Sequence, residues 1–299
     1  MAVGTRTLQG VIAYPVTPFR PGDGGIDTTA LEGLVERLVQ AGVHGIAPLG
    51  STGESAYLAD EEWYEAAQTS LSAVGGRVPT VVGVSDLTTR NAVKRAEFAE
   101  AAGADAVMLL PVAYWKLGER EILRHYAAVS DAVSIPVMAY NNPATSGVDM
   151  PPELLVRLVT GLENVTMVKE SSGDIQRVHR IVQLSEGQVP VFNGSNPLAL
   201  SAFAAGAVGW CTAAPCLAAE QTLAFYDAVA GGDLAAARSR FYQLLPLLQF
   251  IVRGGLPTTV KAGLALQGFE TGVPRPPQLP LEQSGRVELQ ALLSHLARD

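Results

Sequence analysis

The sequence is poor in cysteine and has no long uninterrupted apolar segment. Only Cys211 and Cys216 occur among its 299 residues, and two cysteines in a reducing compartment are more often packed thiols than a disulfide or half of a zinc site. No apolar run approaches the roughly twenty residues that span a bilayer, and residues Met1–Gly10 lack the charged and apolar regions of a signal peptide. These absences predict a cytoplasmic protein with no membrane partner.

Charge is also scarce, and basic residues are in deficit. Charged residues make up 17% of the chain, the net charge is −8, and no basic stretch occurs. Nucleic acids and anionic membranes bind basic patches, so neither is expected as a partner. Hydrophobic residues make up 48% of the chain, which is enough for a large core and argues against disorder.

What the sequence does contain is a regular alternation of short β-rich runs and amphipathic helical segments up to about residue 230. The predicted strands are residues 11–14, 45–48, 80–84, 106–110, 137–140, 165–169, 191–193 and 208–211. The predicted helices are residues 28–41, 60–74, 88–102, 119–132, 152–159, 174–184, 197–204 and 219–230. Eight such units predict an α/β fold, a (β/α)8 TIM barrel with its site on the loops after the strands. A doubly wound open sheet is the alternative, but no Gly-x-Gly-x-x-Gly fingerprint follows the first strand.

The pattern changes after about residue 230. Residues 234–252 and 258–266 are predicted to be helices with no strand between them, and the proline-rich segment 271–280 ends helix formation before a last helix at 281–296. We therefore predict two domains, a catalytic barrel over residues 1–230 and a C-terminal helical extension over residues 231–299.

Lys169 lies at the end of the sixth predicted strand, directly before a turn that leads into the next helix. Burial among apolar side chains disfavours the ammonium form, and a neutral amine is the nucleophile that forms a Schiff base with a carbonyl compound. A lone lysine at a strand end more often extends its ammonium group to solvent. The neighbouring strand ends argue against that alternative here.

Two of these neighbouring loops carry groups that an imine-forming amine needs. The second strand is followed by Gly-Ser-Thr-Gly-Glu-Ser at residues 50–55, a sequence that permits a tight turn whose N–H groups and hydroxyls can hold a carboxylate. The fifth strand ends at Tyr140, whose phenol can relay protons beside Lys169. The simpler alternatives are a glycine-rich connection and a core tyrosine with one hydrogen bond. Lysine, phenol and turn together indicate chemistry on a 2-oxo acid.

Other polar residues are given structural interpretations. Glu170 should point away from the partners of Lys169, because successive strand residues face opposite sides. His125 and His179 fall in predicted outer helices and are expected to be solvated. Lys261 lies in the helical extension, where a structural or surface role is expected.

Three motifs occur in order and carry a resemblance that covers nearly the whole chain. They are Gly-Ser-Thr-Gly-Glu at residues 50–54, Tyr-Asn-Asn-Pro at 140–143 and Val-Lys-Glu-Ser-Ser-Gly-Asp at 168–174. With these motifs the chain resembles the dihydrodipicolinate synthase and N-acetylneuraminate lyase family of class I aldolases. The resemblance implies a barrel with a C-terminal helical extension, assembled as a homotetramer, in which a lysine forms a Schiff base with pyruvate or another 2-oxo acid.

The resemblance also implies roles for individual residues. Lys169 matches the Schiff-base lysine and Tyr140 the proton-relay tyrosine. Ser51 and Thr52 match the hydroxyl pair that contacts the carboxylate and joins the relay, and Gly53 belongs to the same turn.

Two positions fit the family pattern less well. A family tyrosine that crosses a subunit interface corresponds to Tyr114, although the local motif differs. Dihydrodipicolinate synthases usually have an arginine five residues after the relay tyrosine, where it binds the carboxylate of the aldehyde, and here that position is Thr145. A hydroxyl cannot replace the bidentate contact of a guanidinium, and losing a charge-assisted pair costs on the order of 1.5–3 kcal/mol. We therefore expect the synthase activity to be disfavoured.

The loop after the seventh strand also differs. Sialic acid lyases have carboxylates there to hold sugar hydroxyls, whereas this chain has Gly194, Ser195 and Asn196. A pocket that is polar but uncharged, apart from the turn that holds the oxo acid, suits aldolases of 2-oxo-3-deoxy sugar acids or 4-hydroxy-2-oxo acids.

The leading prediction is therefore a pyruvate-dependent class I lyase that needs no metal or cofactor and acts on a 2-oxo acid and an aldehyde. Three alternatives stay open. They are a dehydratase or deaminase that acts on a 2-oxo acid or cyclic imine through the same imine, the dihydrodipicolinate synthase itself, and a barrel that binds a 2-oxo acid without turnover.

Overall fold

The computed structural model describes residues 8–297. Residues 1–7 and 298–299, which include most of the Met1–Gly10 segment and the outer ends of both predicted domains, lie outside the described residues. Within the described range, parallel strands alternate with helices and further helices follow the last strand, so the chain is a (β/α)8 TIM barrel with C-terminal helices, as predicted.

The strands form one sheet in the order β2-β1-β8-β7-β6-β5-β4-β3. They are β1 Gly10–Ala13, β2 Gly45–Ile46, β3 Val81–Gly83, β4 Ala106–Leu109, β5 Val137–Asn141, β6 Val165–Glu170, β7 Val191–Asn193 and β8 Gly209–Thr212. All strand residues except Thr166 are buried, as expected of parallel strands that are covered on both faces.

The helices follow the predicted order. They are α1 Thr28–Ala41, α2 Asp60–Val74, α3 Thr89–Ala101, α4 Glu119–Ala132, α5 Pro143–Ser146, α6 Pro152–Gly161, α7 Ile175–Leu184, α8 Ala199–Ala204, α9 Pro215–Ala230, α10 Leu234–Arg253, α11 Leu256–Leu266 and α12 Gln283–Leu296. Between residues 8 and 297, no helix is both long enough and apolar enough to cross a membrane.

Side-chain caps explain several helix starts. Asp27 accepts a hydrogen bond from the Ala30 amide at the start of α1, and Asp174 accepts one from the Gln176 amide at the start of α7. Each cap satisfies an amide that has no partner inside the helix. The Asp174 cap is relevant to the site because it lies five residues after Lys169.

The differences from the predicted elements are local. β5 and β6 each extend one residue beyond the prediction, so Asn141 and Glu170 belong to strands. Residues 143–146 form the short helix α5, which begins at a proline, a residue well suited to a first helical turn. The predicted helix 197–204 is divided into a 3-10 turn, Asn196–Leu198, and α8.

The expectation of a solvated His125 was wrong. Only 8% of this residue is exposed, because it lies on the inner face of α4 and its Nδ1 is 2.9 Å from the Thr89 hydroxyl. Burial lowers the pKa of His125. His179 is exposed, as predicted.

The chain divides into two compact units. Within the described residues, the first comprises residues 8–10 and 79–211, and the second comprises residues 11–78 and 212–297. The predicted boundary between a barrel and a helical extension at residue 230 stays a prediction.

Candidate active site

In the first unit, Lys169 and Tyr140 lie side by side at the carboxyl ends of β6 and β5. The strand register pairs these two residues directly, and it pairs Lys169 with Phe192 on β7. Lys169 is 4% exposed, and its Nζ lies 3.9 Å from the centre of the Tyr140 ring and 3.7 Å from Met108 Sδ. The amine is therefore buried beside an aromatic ring and a thioether.

Tyr140 has a hydrogen-bond partner that the sequence analysis missed. Asn142 Nδ2 donates to the phenol oxygen over 2.9 Å, from the first position after β5. A phenol oxygen that accepts this bond still has its own proton to donate. The available signal was the position of Asn142 two residues after Tyr140, because alternate residues along a strand point to the same face.

Gly194 lies where no side chain fits beside Lys169. A Cβ added to Gly194 would lie 1.7 Å from Ser171 Oγ and 2.8 Å from Lys169 Cε. The Ser171 hydroxyl and the end of the lysine side chain are thus both in contact with the Gly194 backbone. Ser171 Oγ is buried and has no hydrogen-bond partner among residues 8–297. The sequence analysis did not identify this hydroxyl.

The loop after β7 is shaped by Asn193. Its side chain donates to Ser195 O over 2.9 Å and accepts from Ser195 N over 3.1 Å. These reciprocal bonds hold Gly194 and Ser195 in one conformation. Ser195 is half-buried and Asn196 is buried, and the predicted roles of both residues in substrate binding stay predictions.

Glu170 points away from Lys169, as predicted. Its carboxylate accepts hydrogen bonds from Asn141 Nδ2 over 3.0 Å and from the Ser172 amide over 2.6 Å. The Met150 amide donates to Asn141 Oδ1 over 3.0 Å. Burial raises the pKa of Glu170, and the bonds to Ser172 and Asn141 oppose that shift. This network lies on the opposite face of β5 and β6 and fixes their carboxyl ends.

In the second unit, Ser51, Thr52 and Gly53 form a tight turn after β2. Thr52 is 3% exposed, and Gly53 O accepts a hydrogen bond from the buried Thr17 hydroxyl over 2.6 Å. A Cβ on Gly53 would lie 3.0 Å from the Leu49 amide nitrogen, so this position needs a glycine or a shift of the backbone.

The same turn contains two residues in the left-handed backbone region. Leu49 has φ 61° and Glu54 has φ 56°, a conformation that L side chains adopt at a cost. Strained backbone of this kind persists when surrounding contacts hold it. The Glu54 side chain makes such contacts, with Lys261 Nζ and with the Arg275 amide.

Lys261 is not at the surface. It is 1% exposed, and its Nζ lies 2.7 Å from Glu54 Oε1 in a buried ion pair. Burial lowers the pKa of Lys261 to about 8, and the Glu54 carboxylate opposes that shift. Of the two roles expected for Lys261, the surface role was wrong and the structural role is confirmed, because α11 packs this side chain toward the interior.

Tyr114 and Thr145 are both exposed, and 94% of Tyr114 is accessible. Tyr114 makes no hydrogen bond within residues 8–297, and the structure does not bring it into contact with Lys169. The roles that the resemblance implies for Tyr114 and Thr145 stay predictions.

Metal ligands are not clustered in the described part of the chain. Among residues 8–297, no group of three or more His, Cys, Asp or Glu side chains could hold a metal ion. Cys211 and Cys216 are buried free thiols, as predicted. Burial raises the pKa of Cys216 to about 12.

Comparison with known proteins identifies the family and agrees with the fold. Residues 7–296 match the model of the dihydrodipicolinate synthetase family. A 4-hydroxy-tetrahydrodipicolinate synthase from Methanopyrus kandleri is 33% identical over 270 residues, which cover 90% of each chain.

Two solved structures are similar over nearly their whole length. A Pseudomonas aeruginosa protein, described provisionally as a dihydrodipicolinate synthetase, is 57% identical with a TM-score of 0.96, and the match covers 97% of this chain and 100% of that one. A chloride-inhibited dihydrodipicolinate synthase from Acinetobacter baumannii, complexed with pyruvate, is 28% identical with a TM-score of 0.93 over 97% of this chain and 99% of that one.

The barrel fold and the family match define an aldolase-type enzyme. The chain belongs to the dihydrodipicolinate synthetase family and is a lyase. One expectation needs correction: a relative named for the synthase matches almost end to end, so the comparisons do not disfavour the synthase, and Thr145 alone was too narrow a basis for doing so.

Proposed function

We propose that this lyase is pyruvate-dependent and forms its Schiff base on Lys169. The observation that carries the proposal is the pairing of Lys169 with Tyr140, in which the buried Nζ lies 3.9 Å from the centre of the Tyr140 ring. The pyruvate complex of the Acinetobacter baumannii relative supports pyruvate as the 2-oxo acid.

In the proposed reaction, the neutral Lys169 amine attacks the C2 carbonyl of the 2-oxo acid and forms a carbinolamine. Tyr140, together with Thr52, transfers protons while the carbinolamine loses water and becomes the protonated imine. The imine then accepts the electron pair of the carbon-carbon bond during cleavage. In the condensation direction it accepts the electron pair of the C3–H bond as a base removes the proton, and the resulting enamine attacks the aldehyde. Ser51, Thr52 and Gly53 hold the carboxylate of the oxo acid.

For the aldehyde, we propose an uncharged hydroxylated compound, so that the cleaved substrate is a 2-oxo-3-deoxy sugar acid or a 4-hydroxy-2-oxo acid. Support comes from the neutral groups of Thr145, Ser195 and Asn196, which offer hydrogen bonds to hydroxyls and no cation for a second carboxylate. The second candidate is the synthase reaction, which the name of the Methanopyrus kandleri relative favours.

The first experiment is mass spectrometry of the intact protein after incubation with pyruvate and borohydride, followed by peptide mapping. A reduced pyruvyl adduct on Lys169 is expected, and Lys169→Ala should lose both the adduct and turnover. Lys116→Ala, which changes an exposed lysine, is the matched control and should keep both. A stoichiometric adduct on another lysine would remove Lys169 from this role.

Product analysis then separates the reactions. Aldol cleavage releases pyruvate from a 4-hydroxy-2-oxo acid, whereas elimination of water or ammonia leaves the carbon chain intact. Consumption of pyruvate with aspartate semialdehyde at a higher kcat/KM than with hydroxyaldehydes would favour the synthase. Saturable pyruvate binding without turnover of any of these substrates would contradict the proposed substrates.

We also propose that the protein is a homotetramer in which Tyr114 crosses a subunit interface. The exposure of Tyr114 and Trp115, at 94% and 82%, is consistent with a contact surface for large aromatic side chains. Light scattering of the purified protein gives the mass directly, and a monomeric mass at assay concentration would contradict the assembly. The predicted cytoplasmic location stays a prediction.

A further inference from the structure

The second unit contains a cavity of about 580 Å³ that the proposed reaction does not use. Its walls come from the segment after β1, from α11, and from the proline-rich segment that leads to α12. Apolar side chains supply much of the lining, including Phe19, Pro21, Val273, Pro274 and Leu281. A cavity of this size with such walls can accommodate a small organic molecule.

The charges that line this cavity are mostly positive. Its lining includes one carboxylate, Glu270, and four cationic side chains, namely Arg20, Lys261, Arg275 and Arg286. Three of the cations have carboxylate partners, but those partners do not line the cavity; they are Asp23, Glu54 and Glu62. Lys261 is 1% exposed, so its ammonium group is covered, whereas the Arg20 side chain is 49% exposed. The excess of cationic over acidic side chains in the lining favours an anion inside the cavity.

Arg286 is the cation available to a ligand. It is half-buried on α12, and its guanidinium makes no hydrogen bond or ion pair within residues 8–297. A guanidinium offers two parallel N–H donors to a carboxylate. Glu270 is exposed, so its carboxylate is screened by water more than a buried one would be.

We propose that this cavity is a binding site for an organic monocarboxylate with a compact apolar body. The carboxylate pairs with Arg286, and the body lies against the apolar wall that includes Leu281 and Pro274. The site is distinct from the turn that holds the oxo acid, and nothing in the family resemblance assigns it.

The cavity is linked to that turn by a chain of contacts within the second unit. Lys261 Nζ lies 3.8 Å from the centre of the Phe19 ring and 2.7 Å from Glu54 Oε1. The Arg275 amide donates to Glu54 Oε2 over 2.7 Å, and its guanidinium lies 4.2 Å from the same Phe19 ring. Glu54 is two residues from Thr52. A bound anion attracts Lys261 and Arg275 and so weakens their hold on Glu54.

Binding is tested by calorimetric titration of the full chain with benzoate, and with benzamide as the neutral isostere. Benzoate is expected to bind and benzamide to bind much more weakly. Arg286→Gln should weaken benzoate binding about tenfold, since it removes a charge-assisted hydrogen-bond pair. Arg253→Gln removes an exposed arginine that pairs with Glu288 outside the cavity, and it should leave the affinity unchanged.

A second variant tests the location without changing charge. Ala265 lines the cavity, so Ala265→Phe should fill it and abolish benzoate binding. If benzoate binds equally well to wild type, Arg286→Gln and Ala265→Phe, it binds elsewhere and the proposal is overturned. Absence of saturable benzoate binding to wild type at millimolar concentrations overturns it as well.

The coupling to the turn rests on the proposed function and is measured separately. Benzoate is expected to raise the KM for pyruvate in wild type and not in Arg286→Gln, with little change in kcat. If wild type shows saturable, Arg286-dependent binding but an unchanged KM, the site stands and the coupling fails. If pyruvate is not a substrate, the titration with benzoate still shows whether the cavity binds a carboxylate.

Discussion

At the scale of single residues, two residues contact the proposed catalytic pair of Lys169 and Tyr140. Asn142 donates to the phenol of Tyr140, and Gly194 leaves the space that the end of Lys169 occupies. Neither residue supplies a nucleophile or an acid. Its residue type therefore gave no sign that it positions the lysine or the tyrosine. Both roles follow from distances that only the folded chain defines.

Asn142→Leu is expected to lower kcat roughly fivefold, because the bond to the Tyr140 oxygen is worth about 1 kcal/mol. The KM for the 2-oxo acid should change less, and borohydride trapping of the imine should slow in parallel with kcat. Steady-state kinetics and trapping rates measure both. In a Tyr140→Phe background the same substitution should have no further effect; a full additional loss there would show that Asn142 acts independently of the phenol.

Gly194→Ala is expected to reduce kcat/KM by about a hundredfold, because displacing a reacting group by even about 1 Å has effects of that size. The new Cβ would lie 2.8 Å from Lys169 Cε and still closer to Ser171 Oγ. Gly161→Ala is the control, since a Cβ there meets nothing within 4 Å. Wild-type kinetics for Gly194→Ala would mean that the lysine side chain has room to move.

At the scale of elements, the register of β5 and β6 creates the lysine-tyrosine pair and separates it from the Glu170 network. The one-residue alternation of a strand puts Tyr140 and Lys169 on one face and Asn141 and Glu170 on the other. This outcome was predictable, because consecutive strands of a barrel are neighbours. The link from the β2 turn to α11 was not predictable, because Glu54 and Lys261 are 207 positions apart.

The Glu54–Lys261 pair gives a prediction for stability as a function of pH. The pKa of Lys261 falls from 10.5 to about 8 on folding because of burial, so between these pH values the unfolded chain binds the proton more than the folded one. The contribution of Lys261 to the free energy of unfolding therefore rises as pH increases from about 8 toward 10.5, by up to about 3 kcal/mol.

Chemical denaturation of wild type and Lys261→Met at several pH values measures this effect. The difference in unfolding free energy, wild type minus variant, should increase with pH across that window. Lys94→Met, which changes an exposed lysine, should show no such trend. A difference that decreases with pH would mean that the ion pair with Glu54 outweighs the cost of burial.

At the scale of the whole molecule, the two cysteines report on global unfolding. Cys211 and Cys216 are 3% and 1% exposed, and a thiol reagent needs both access and a thiolate. In native protein we expect neither to react with Ellman's reagent within the time in which exposed thiols react completely. In denaturant both should react at once. Rapid labelling of one thiol under native conditions would show local opening around that residue.

The sequence by itself determined the order of strands and helices and the family, and it singled out Lys169 and Tyr140, whose catalytic roles stay predictions. Periodic apolar patterns, helix caps and contiguous motifs are local properties of the chain, and they were sufficient for these conclusions. The tertiary structure alone decided that His125 and Lys261 are buried, that Ser171 and Gly194 lie against the lysine, and that a cationic cavity lies behind the Glu54 ion pair. Those features depend on which faces pack together across long separations in sequence, and no local pattern carries that information.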